Sequence, residues 1–573
     1  MKKEKGLNRK VTRRDFLKGL AAAGAFTGSL GSLGRPIARG INLIPNAWDE
    51  EYDVVVVGYA VAGACAAMGA HDAGADTLIV EWAPIPGGTT AMSGGMFNLG
   101  GGTALQRDLG VDESPEEYYK FLCAQGEVDV LPGQPKALEA LQRVHVDHAV
   151  ETYDWLENTL ELPFLRLLSV PKVGHSFGGL MFLGNETYPS VIEKVGRAVP
   201  HAHMQMSMGG GFMKAMEDQV TDRGVSTLFN TRARHLIVDD TTGEVVGVKV
   251  LRRGREINIK ARRGVVLAAG GFGHNKEIVK GLPLNTLEDA SFRPGTNMGD
   301  GIVMAQEIGA DTFRCDGGTF LWVYSLAHIN PMADIFGLGP LGPWWNVFYI
   351  DRSGKRFVNE EWHFSAHALY WGRAGMPDIA AGRLPMGWVV FDGASKLALM
   401  GIPGLPLEAN MVSALFGGVI IREFEFPNGK KVPCKTVSGM TISSLCEATK
   451  ETDPEGIGIN PAGLRATIDE WNRNLPRDPT WGRTYALTRF GTPPYYAAIV
   501  WPATVNESTG TTINAEGQVL DMVGKPIPRL YAAGRTTGGQ YGQLYTCGTA
   551  LSTGVIMGKI AGKNAGGEKR WVE

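Results

Sequence analysis

The run Gly58-Tyr59-Ala60-Val61-Ala62-Gly63, with Glu81 placed 18 residues after Gly63, is where residue type and spacing first point to chemistry. A turn tight enough to need Gly58, a helix start whose N–H groups lack partners, and a close strand–helix approach at Gly63 together make a seat for pyrophosphate. An acid closing the next strand accepts hydrogen bonds from ribose hydroxyls. Ala60 stands where such turns usually carry a middle glycine, at some cost in backbone approach to phosphate. Gly58, Ala60, Val61, Ala62, Gly63 and Glu81 are the expected dinucleotide contacts.

Directly after Glu81 come Pro86-Gly87-Gly88-Thr89-Thr90-Ala91-Met92-Ser93-Gly94-Gly95 and Gly100-Gly101-Gly102-Thr103. An NAD domain would continue here with its next helix. Bare N–H groups and small hydroxyls suit a loop laid along a flavin and its ribityl phosphate. Gly87, Gly88, Thr89, Thr90, Ser93, Gly94 and Gly95 are therefore expected to bind FAD.

The elements that must position these groups are legible in the same stretch. Tyr52 to Val57 is a β-branched apolar run, as a buried parallel strand should be. A helix of small residues follows from Ala62 to about Ala73, and a second strand runs from Thr77 to Val80. Thr227 to Ala233 opens a strand pair, Leu236 to Asp239 and Val245 to Val250, turned at Thr241-Thr242-Gly243-Glu244. Gly264 to Phe272 reads as another buried strand ending in glycine. From about residue 285 Trp, Pro and Gly rise, with Trp322, Trp344, Trp345, Trp362, Trp371 and Trp388, and a separate cap is expected. Near Tyr495 the pattern returns toward the nucleotide fold, ending in Tyr531-Ala532-Ala533-Gly534. The expected domains are residues 1–40 as signal and linker, 50–285 and 491–570 as the FAD-binding domain, and 286–490 as the cap.

Composition agrees. The chain has 573 residues, 77 of them Gly, with 44% hydrophobic and 20% charged, which excludes disorder, collagen and a multi-span membrane protein. A formal net charge of -3 provides no field to draw nucleic acid. The six cysteines, Cys65, Cys123, Cys315, Cys434, Cys446 and Cys547, show no C-x-x-C or C-x-x-C-H, and the histidines show no metal spacing, so an organic redox cofactor and no metal site are expected.

Residues 1–38 carry nine Lys/Arg and two acids, against an acid excess of ten in the remainder. Thr12-Arg13-Arg14-Asp15-Phe16-Leu17-Lys18, followed by an uncharged Gly- and Ala-rich run to Gly34, resembles a twin-arginine export signal. The apolar run is too short and glycine-rich for a membrane span. A periplasmic or otherwise extracytoplasmic location is expected.

Several spaced segments now resemble the flavoprotein family of fumarate reductases and 3-ketosteroid dehydrogenases, from Tyr52 to about Ala565. They are the Gly58 turn, Gly87-Gly88-Thr89-Thr90, Ala268-Ala269-Gly270-Gly271-Phe272, Gly299-Asp300-Gly301, Gly354-Lys355-Arg356-Phe357-Val358-Asn359-Glu360 and Tyr531-Ala532-Ala533-Gly534. The resemblance implies an α/β protein: a Rossmann-like FAD-binding domain of the glutathione-reductase type with an inserted α+β capping domain. It extends the FAD contacts to Ala233, Ala269, Gly270, Asp300, Gly534, Arg535, Thr549, Ala550 and Leu551. No family-type His attachment position stands beside Gly87-Gly88, so FAD is expected without a covalent link.

Charge separates the subfamilies, since a dicarboxylate needs cations around it. Where the resemblance places the fumarate reductases' Arg donor, carboxylate-binding His and last Arg, this chain has Phe364, Ser508 and Tyr545. The segment Gly542 to Leu551 instead looks like the Tyr-x-Ser-Gly region of Δ4-type ketosteroid dehydrogenases, with Cys547 in place of Ser. Tyr545 is the expected proton-transferring residue if its neighbours lower its pKa, backbone N–H groups near Gly548 the expected ketone binders, and Tyr324 a second catalytic candidate. The expected activity is oxidation or reduction of the carbon–carbon bond beside a ketone, with a small apolar ketone or enone as substrate and a quinone or redox protein as electron partner. Two alternatives stand: an exported fumarate reductase-like enzyme for an unsaturated organic acid, and a flavoprotein electron-transfer subunit.

Overall fold

In a computed structural model the described residues are 42–572, apart from 131–132, 169–178, 183–184, 280–294, 316–318, 324–345, 361, 363, 396–422, 427–428, 434, 485–486 and 505. The export-signal segment and Tyr324 lie outside the described residues, as do Trp344 and Trp345.

The scaffold of the cofactor end is a nine-stranded sheet. Its parallel part runs Pro526–Ala532, Arg255–Leu267, Glu50–Val57, Thr77–Val80 and Ser226–Leu228 in spatial order. Val54 to Val57 and Leu78 to Val80 are buried on both faces, which is why these strands are unbroken apolar runs rather than alternating ones. The strand Arg255–Leu267 is the pivot. Its first half pairs antiparallel with Val245–Arg252, and its second half lies parallel to Glu50–Val57. Sequence pattern marks only the apolar half from Gly264, because the charged first half, Arg255 to Lys260, faces partly to water.

Two expectations need correction here. The expected single run from Thr227 is two strands, Ser226–Leu228 and Thr231–Val238, broken at Asn230, whose φ of 53° takes the chain out of extended geometry. The boundary expected at 490 also falls short. The strand Tyr495–Thr504 pairs with Thr319–Val323, Gly387–Phe391 and Val437–Gly439, so it belongs to the five-stranded antiparallel sheet of the cap. The chain rejoins the large sheet at Gln518–Leu520.

The first helix, Val61–Asp72, packs against the C-terminal helix, Thr549–Gly567. Glycines at 554, 558, 562 and 566, one every fourth residue, form a single stripe on the latter. A Cβ on Gly562 would lie 1.9 Å from the Ala66 carbonyl oxygen, and one on Gly558 2.6 Å from that of Ala62. Backbone thus meets backbone, and the stripe sets the depth at which the first turns of both helices come together. Among the described residues no helix is long and apolar enough to cross a membrane.

A small antiparallel sheet of Met96–Asn98, Ala202–Met204 and Gly179–Met181 completes the cofactor end.

Candidate active site

Gly58 leaves its strand with φ of 107°, and a Cβ there would stand 2.3 Å from the Ala268 carbonyl oxygen. A side chain fits neither the backbone angle nor the space. Ala60 caps the helix Val61–Asp72 without any side-chain hydrogen bond, so the helix N-terminus is left to bind something other than its own cap. Thr90 Oγ1 accepts the Val61 N–H at 3.2 Å, and Gly87 N–H donates to the Tyr59 carbonyl at 2.7 Å. Glu81 is equally committed to the turn: its carboxylate accepts Tyr59 N–H at 2.7 Å and Ala83 N–H at 2.6 Å. Burial holds its pKa above the usual carboxylate range, opposed by the N–H groups of Ala83, Tyr59 and Trp82.

Segments far apart in sequence converge on this turn. A Cβ on Gly534 would lie 2.6 Å from that of Ala62, and one on Gly88 3.3 Å from that of Ala60. Thr536 Oγ1 donates to the Gly270 carbonyl at 3.1 Å, and a Cβ on Gly301 would meet both Thr536 and Ala269. Asp300 forms a two-point ion pair with Arg232, each contact 2.7 Å, beside Ala233. The Arg232 guanidinium lies over the Trp82 ring at 3.9 Å, one residue past Glu81. Ser93 Oγ donates to the Thr90 carbonyl at 2.8 Å and accepts the Gly95 N–H at 3.3 Å. Thr549, Ala550 and Leu551 form the first turn of the C-terminal helix, whose cap Gly548 has φ of 96° and no room for a Cβ, Asn98 N being 2.4 Å away. A long, glycine-walled cradle with two helix N-termini suits a dinucleotide with a flavin: small residues allow backbone approach, and the helix ends favour anionic oxygens.

Near the start of the C-terminal helix the cradle adjoins a small cleft lined among others by Asn506, Glu507, Ser508, Arg535, Tyr541 and Ala550. Glu507 and Arg535 form a buried ion pair inside it. Asn297 Nδ2 approaches Glu507 Oε1 at 3.5 Å, and a Cβ on Gly271 would strike the Glu507 carboxylate at 2.4 Å. The Tyr541 ring of the lining meets the Tyr545 ring edge to face at 5.0 Å. Ser508, at the position of the family's His, donates to the Tyr541 carbonyl at 2.6 Å. Phe364 opens the helix Phe364–Ala374 in the cap.

Tyr545 is buried, and its Oη accepts the Ala550 N–H at 3.5 Å. The condition set for Tyr545 as proton-transferring group, neighbours that lower its pKa, is not met. Burial raises it well above the ordinary phenol range, the Cys547 thiol adding to this, while the Ala550 and Gly548 N–H groups and Arg535 oppose only part. Tyr545 is thus a neutral phenol that holds its proton more tightly than a free one. The N–H groups near Gly548 that a ketone oxygen was expected to take are turned in part toward the Tyr545 oxygen.

The Gly354–Glu360 motif is structural. Arg356 pairs with Glu360 at 3.0 Å and with Asp478 at 2.9 Å, and Asn359 Nδ2 donates to the Trp481 carbonyl at 2.9 Å. Residues that sequence reading missed include Glu507, as well as Asn185, Glu186, His201 and Glu113. None carries a local motif. Glu507 sits one residue before Ser508, and only its pairing with Arg535, 28 positions on, gives it meaning.

A parallel sheet whose first turn is a glycine-turned phosphate seat, with a second helix end and an adjoining cleft, defines a dinucleotide-dependent α/β oxidoreductase. The chain belongs to the FAD binding domain family, whose pattern matches residues 53–551, and it is an FAD-dependent oxidoreductase. It is 26% identical to the digoxin reductase of Eggerthella lenta over 99% of both chains. It is also 26% identical to a protein described as "Probable fumarate reductase Ifc3" of Shewanella frigidimarina, over 90% of this chain and 75% of that one. The solved 3-ketosteroid-Δ4-(5α)-dehydrogenase of Rhodococcus jostii RHA1, in complex with 4-androstene-3,17-dione, superposes with a TM-score of 0.68 at 26% identity, covering 92% of this chain and 99% of that one. The resemblance read from the motifs therefore holds, and so does the fold class.

Proposed function

We propose that this enzyme reduces a carbon–carbon double bond conjugated to a ketone in a flat, apolar, ketosteroid-like molecule, or runs the reverse desaturation. The observation that carries this reading is the charge state of the cleft. Its cation, Arg535, is already neutralised by Glu507, and the proton source beside it, Tyr545, is an uncharged phenol. A dicarboxylate entering would have to displace a buried carboxylate from its partner, which costs several kcal/mol before any gain. A neutral enone needs no such exchange. Likeness to both a ketosteroid dehydrogenase and a fumarate reductase fits a shared flavin chemistry with different cleft charges.

FAD would be held at its pyrophosphate by the N–H groups after Gly58, at its ribose by Glu81, and along its flavin half by the Gly87–Gly95 loop, Ala269, Gly270, Gly534 and the Thr549–Leu551 turn, without a covalent bond. Bound FAD supplies two-electron hydride chemistry at the carbon β to the ketone. The protein's share is the proton: Tyr545 Oη gives it to the α-carbon in reduction, and the Ala550 N–H steadies the phenolate left behind. Trp-rich cap residues would exclude water above an apolar substrate. Export by the twin-arginine route belongs to the same proposal, with electrons supplied or drained by a quinone or a redox protein. Changing both Arg13 and Arg14 to Lys should leave folded, yellow protein in the cytoplasm, and normal secretion of the double variant would refute export.

Assays of parent and Tyr545→Phe on a 3-keto-4-ene steroid and on fumarate test the substrate. The variant keeps ring, packing and FAD, so steroid turnover should fall by about 10² to 10⁴ with an unchanged flavin spectrum. Robust fumarate reduction by the parent would overturn the reading.

A further inference from the structure

Two ion pairs stand along the cofactor cradle, one at each end. At the adenosine end Arg232 is held by Asp300 through two contacts of 2.7 Å. At the flavin end Arg535 pairs with Glu507, their side chains 12% and 1% exposed. The fold sets this second pair among the residues assigned above to the flavin half of FAD. A Cβ on Gly271, the neighbour of Gly270, would stand 2.4 Å from Glu507 Oε2. Arg535 directly follows Gly534, whose own Cβ would stand 2.6 Å from that of Ala62 in the first turn of the helix Val61–Asp72. Both members share one cleft with Gly534 and Ala550, and Ala550 lies in the first turn of the helix Thr549–Gly567. Three segments that would touch the flavin, Gly270–Gly271, Gly534 and the Thr549–Leu551 turn, therefore bound the pair.

Glu507 is held in place from its own backbone outward. Its carbonyl accepts the Tyr541 hydroxyl at 2.9 Å, and the next residue, Ser508, donates through Oγ to the Tyr541 carbonyl at 2.6 Å. Asn297 Nδ2 approaches its carboxylate at 3.5 Å. The charge of Arg535 reaches the reacting end of the cradle, where it acts on the Tyr545 hydroxyl that faces the Ala550 N–H.

A flavin gains one negative charge with each hydride it takes up. A cation or a helix N-terminus beside it favours the reduced form, and a carboxylate beside it opposes that form. The helix start at Thr549 and the Arg535 guanidinium acting together would make the flavin a strong electron acceptor. Glu507 cancels the full charge of the two and leaves the partial one.

We propose that Glu507 sets the direction of the reaction: by cancelling Arg535 beside the flavin it keeps the cofactor's reduction potential low, which makes this enzyme a reductase of its enone rather than a desaturase. The proposal deepens the ketone reading and rests on its FAD seat. No bond to Glu507 forms or breaks, and in reduction hydride still goes to the β-carbon and a proton to the α-carbon. Glu507 is a positioning residue, acting on the flavin through the charge of Arg535.

The first measurement needs no substrate. Holoenzyme is reduced stepwise with dithionite beside a redox dye of known potential, and the flavin–dye equilibrium is followed by absorbance, with FAD content and melting temperature recorded for every variant. Glu507→Gln leaves Arg535 uncompensated and should move the equilibrium about tenfold or more toward reduced flavin, about 30 mV for two electrons. Arg535→Gln leaves the carboxylate alone and should move it about threefold or more the other way. The double variant, Glu507→Gln with Arg535→Gln, and the charge-conserving Glu507→Asp should both stay within about threefold of the parent. A pair with only a structural role would not shift the two single variants in opposite senses. An unmoved Glu507→Gln, single variants that shift alike, or a double variant displaced as far as Glu507→Gln would each overturn the proposal. Should one variant fail to hold FAD, the signs of the others decide.

Direction is read by mixing oxidised holoenzyme anaerobically with a saturated 3-ketosteroid. The flavin of Glu507→Gln should bleach and that of the parent stay largely yellow, while the reduced parent is reoxidised by the 4-ene. Full bleaching of the parent overturns the assigned direction. If neither protein responds to either steroid, the ketone reading falls, and the dye equilibria still decide whether Glu507 sets the potential.

Discussion

Arg535 and Glu507 satisfy each other's charge inside the cleft where the substrate is expected, 28 residues apart in sequence and in contact in space. Cleft and pair together make a neutral chamber out of charged parts. Glu507→Gln would leave the Arg535 cation uncompensated. On the proposed reading fumarate binds the parent poorly and should become a measurable inhibitor of the variant, and thermal stability should drop, since breaking one partner of a buried pair costs about 3–5 kcal/mol. Inhibition constants for parent and variant decide it; equal values would mean that the pair does not set the cleft's charge.

Glu81 closes the strand Thr77–Val80 and accepts two N–H groups of the phosphate turn. Glu81→Ala removes a charged acceptor both from the turn and from the expected ribose contact. A loss of about 1.5–3 kcal/mol in FAD binding, roughly tenfold to a hundredfold in Kd, should follow. Fluorescence titration of apoprotein with FAD measures it, and parental affinity in the variant would show that the acid is not at the ribose.

Gly562 sits where the two packed helices touch backbone to backbone, with 1.9 Å available for a Cβ. Gly562→Ala should destabilise by about 3 kcal/mol, the upper end for overpacking, because the obstacle is a carbonyl rather than a flexible side chain. Gly567, last in the same helix and with open space around it, is the control: Gly567→Ala should be neutral or slightly stabilising. Melting curves in which the two variants behave alike would remove the packing argument.

His145 and His203 are buried neutral, and burial brings each pKa down to about 4. The unfolded chain protonates them near 6.5. Their folded values are depressed, so the stability they allow is present above about pH 6.5 and is lost as pH falls toward 4, by up to about 1.4 kcal/mol per histidine per pH unit. Asp53 and Glu113, also depressed, act in a lower window, below the usual carboxylate range. Urea unfolding of the holoprotein between pH 7 and 5 should therefore show a slope that His203→Gln reduces by about half; an unchanged slope would assign the acid sensitivity elsewhere.

The amino-acid order alone determined the cofactor end of this protein. A tight turn needing Gly58, an uncapped helix start and an acid closing the next strand are local demands, each met within a few residues of the group that makes it. The strand–turn–helix–strand unit was therefore legible from Tyr52 to Glu81, and the glycine loop after it named the cofactor. Local pattern was weaker where an element has two environments. Half of Arg255–Leu267 is solvated and half buried, and Tyr495–Thr504 reads as a return to the first sheet while its hydrogen bonds belong to the second.

What only the tertiary structure decided are the interactions between distant residues. Desolvation of Tyr545 depends on everything packed over it, and it raises the pKa that easy proton transfer would need lowered. The neutral cleft comes from Glu507 meeting Arg535, and the buried contacts of His201 with Glu113 and Glu186 draw on segments 15 to 88 residues apart. Charge in a closed site is set by which groups share that site, and sequence spacing carries no information about partners brought together by folding.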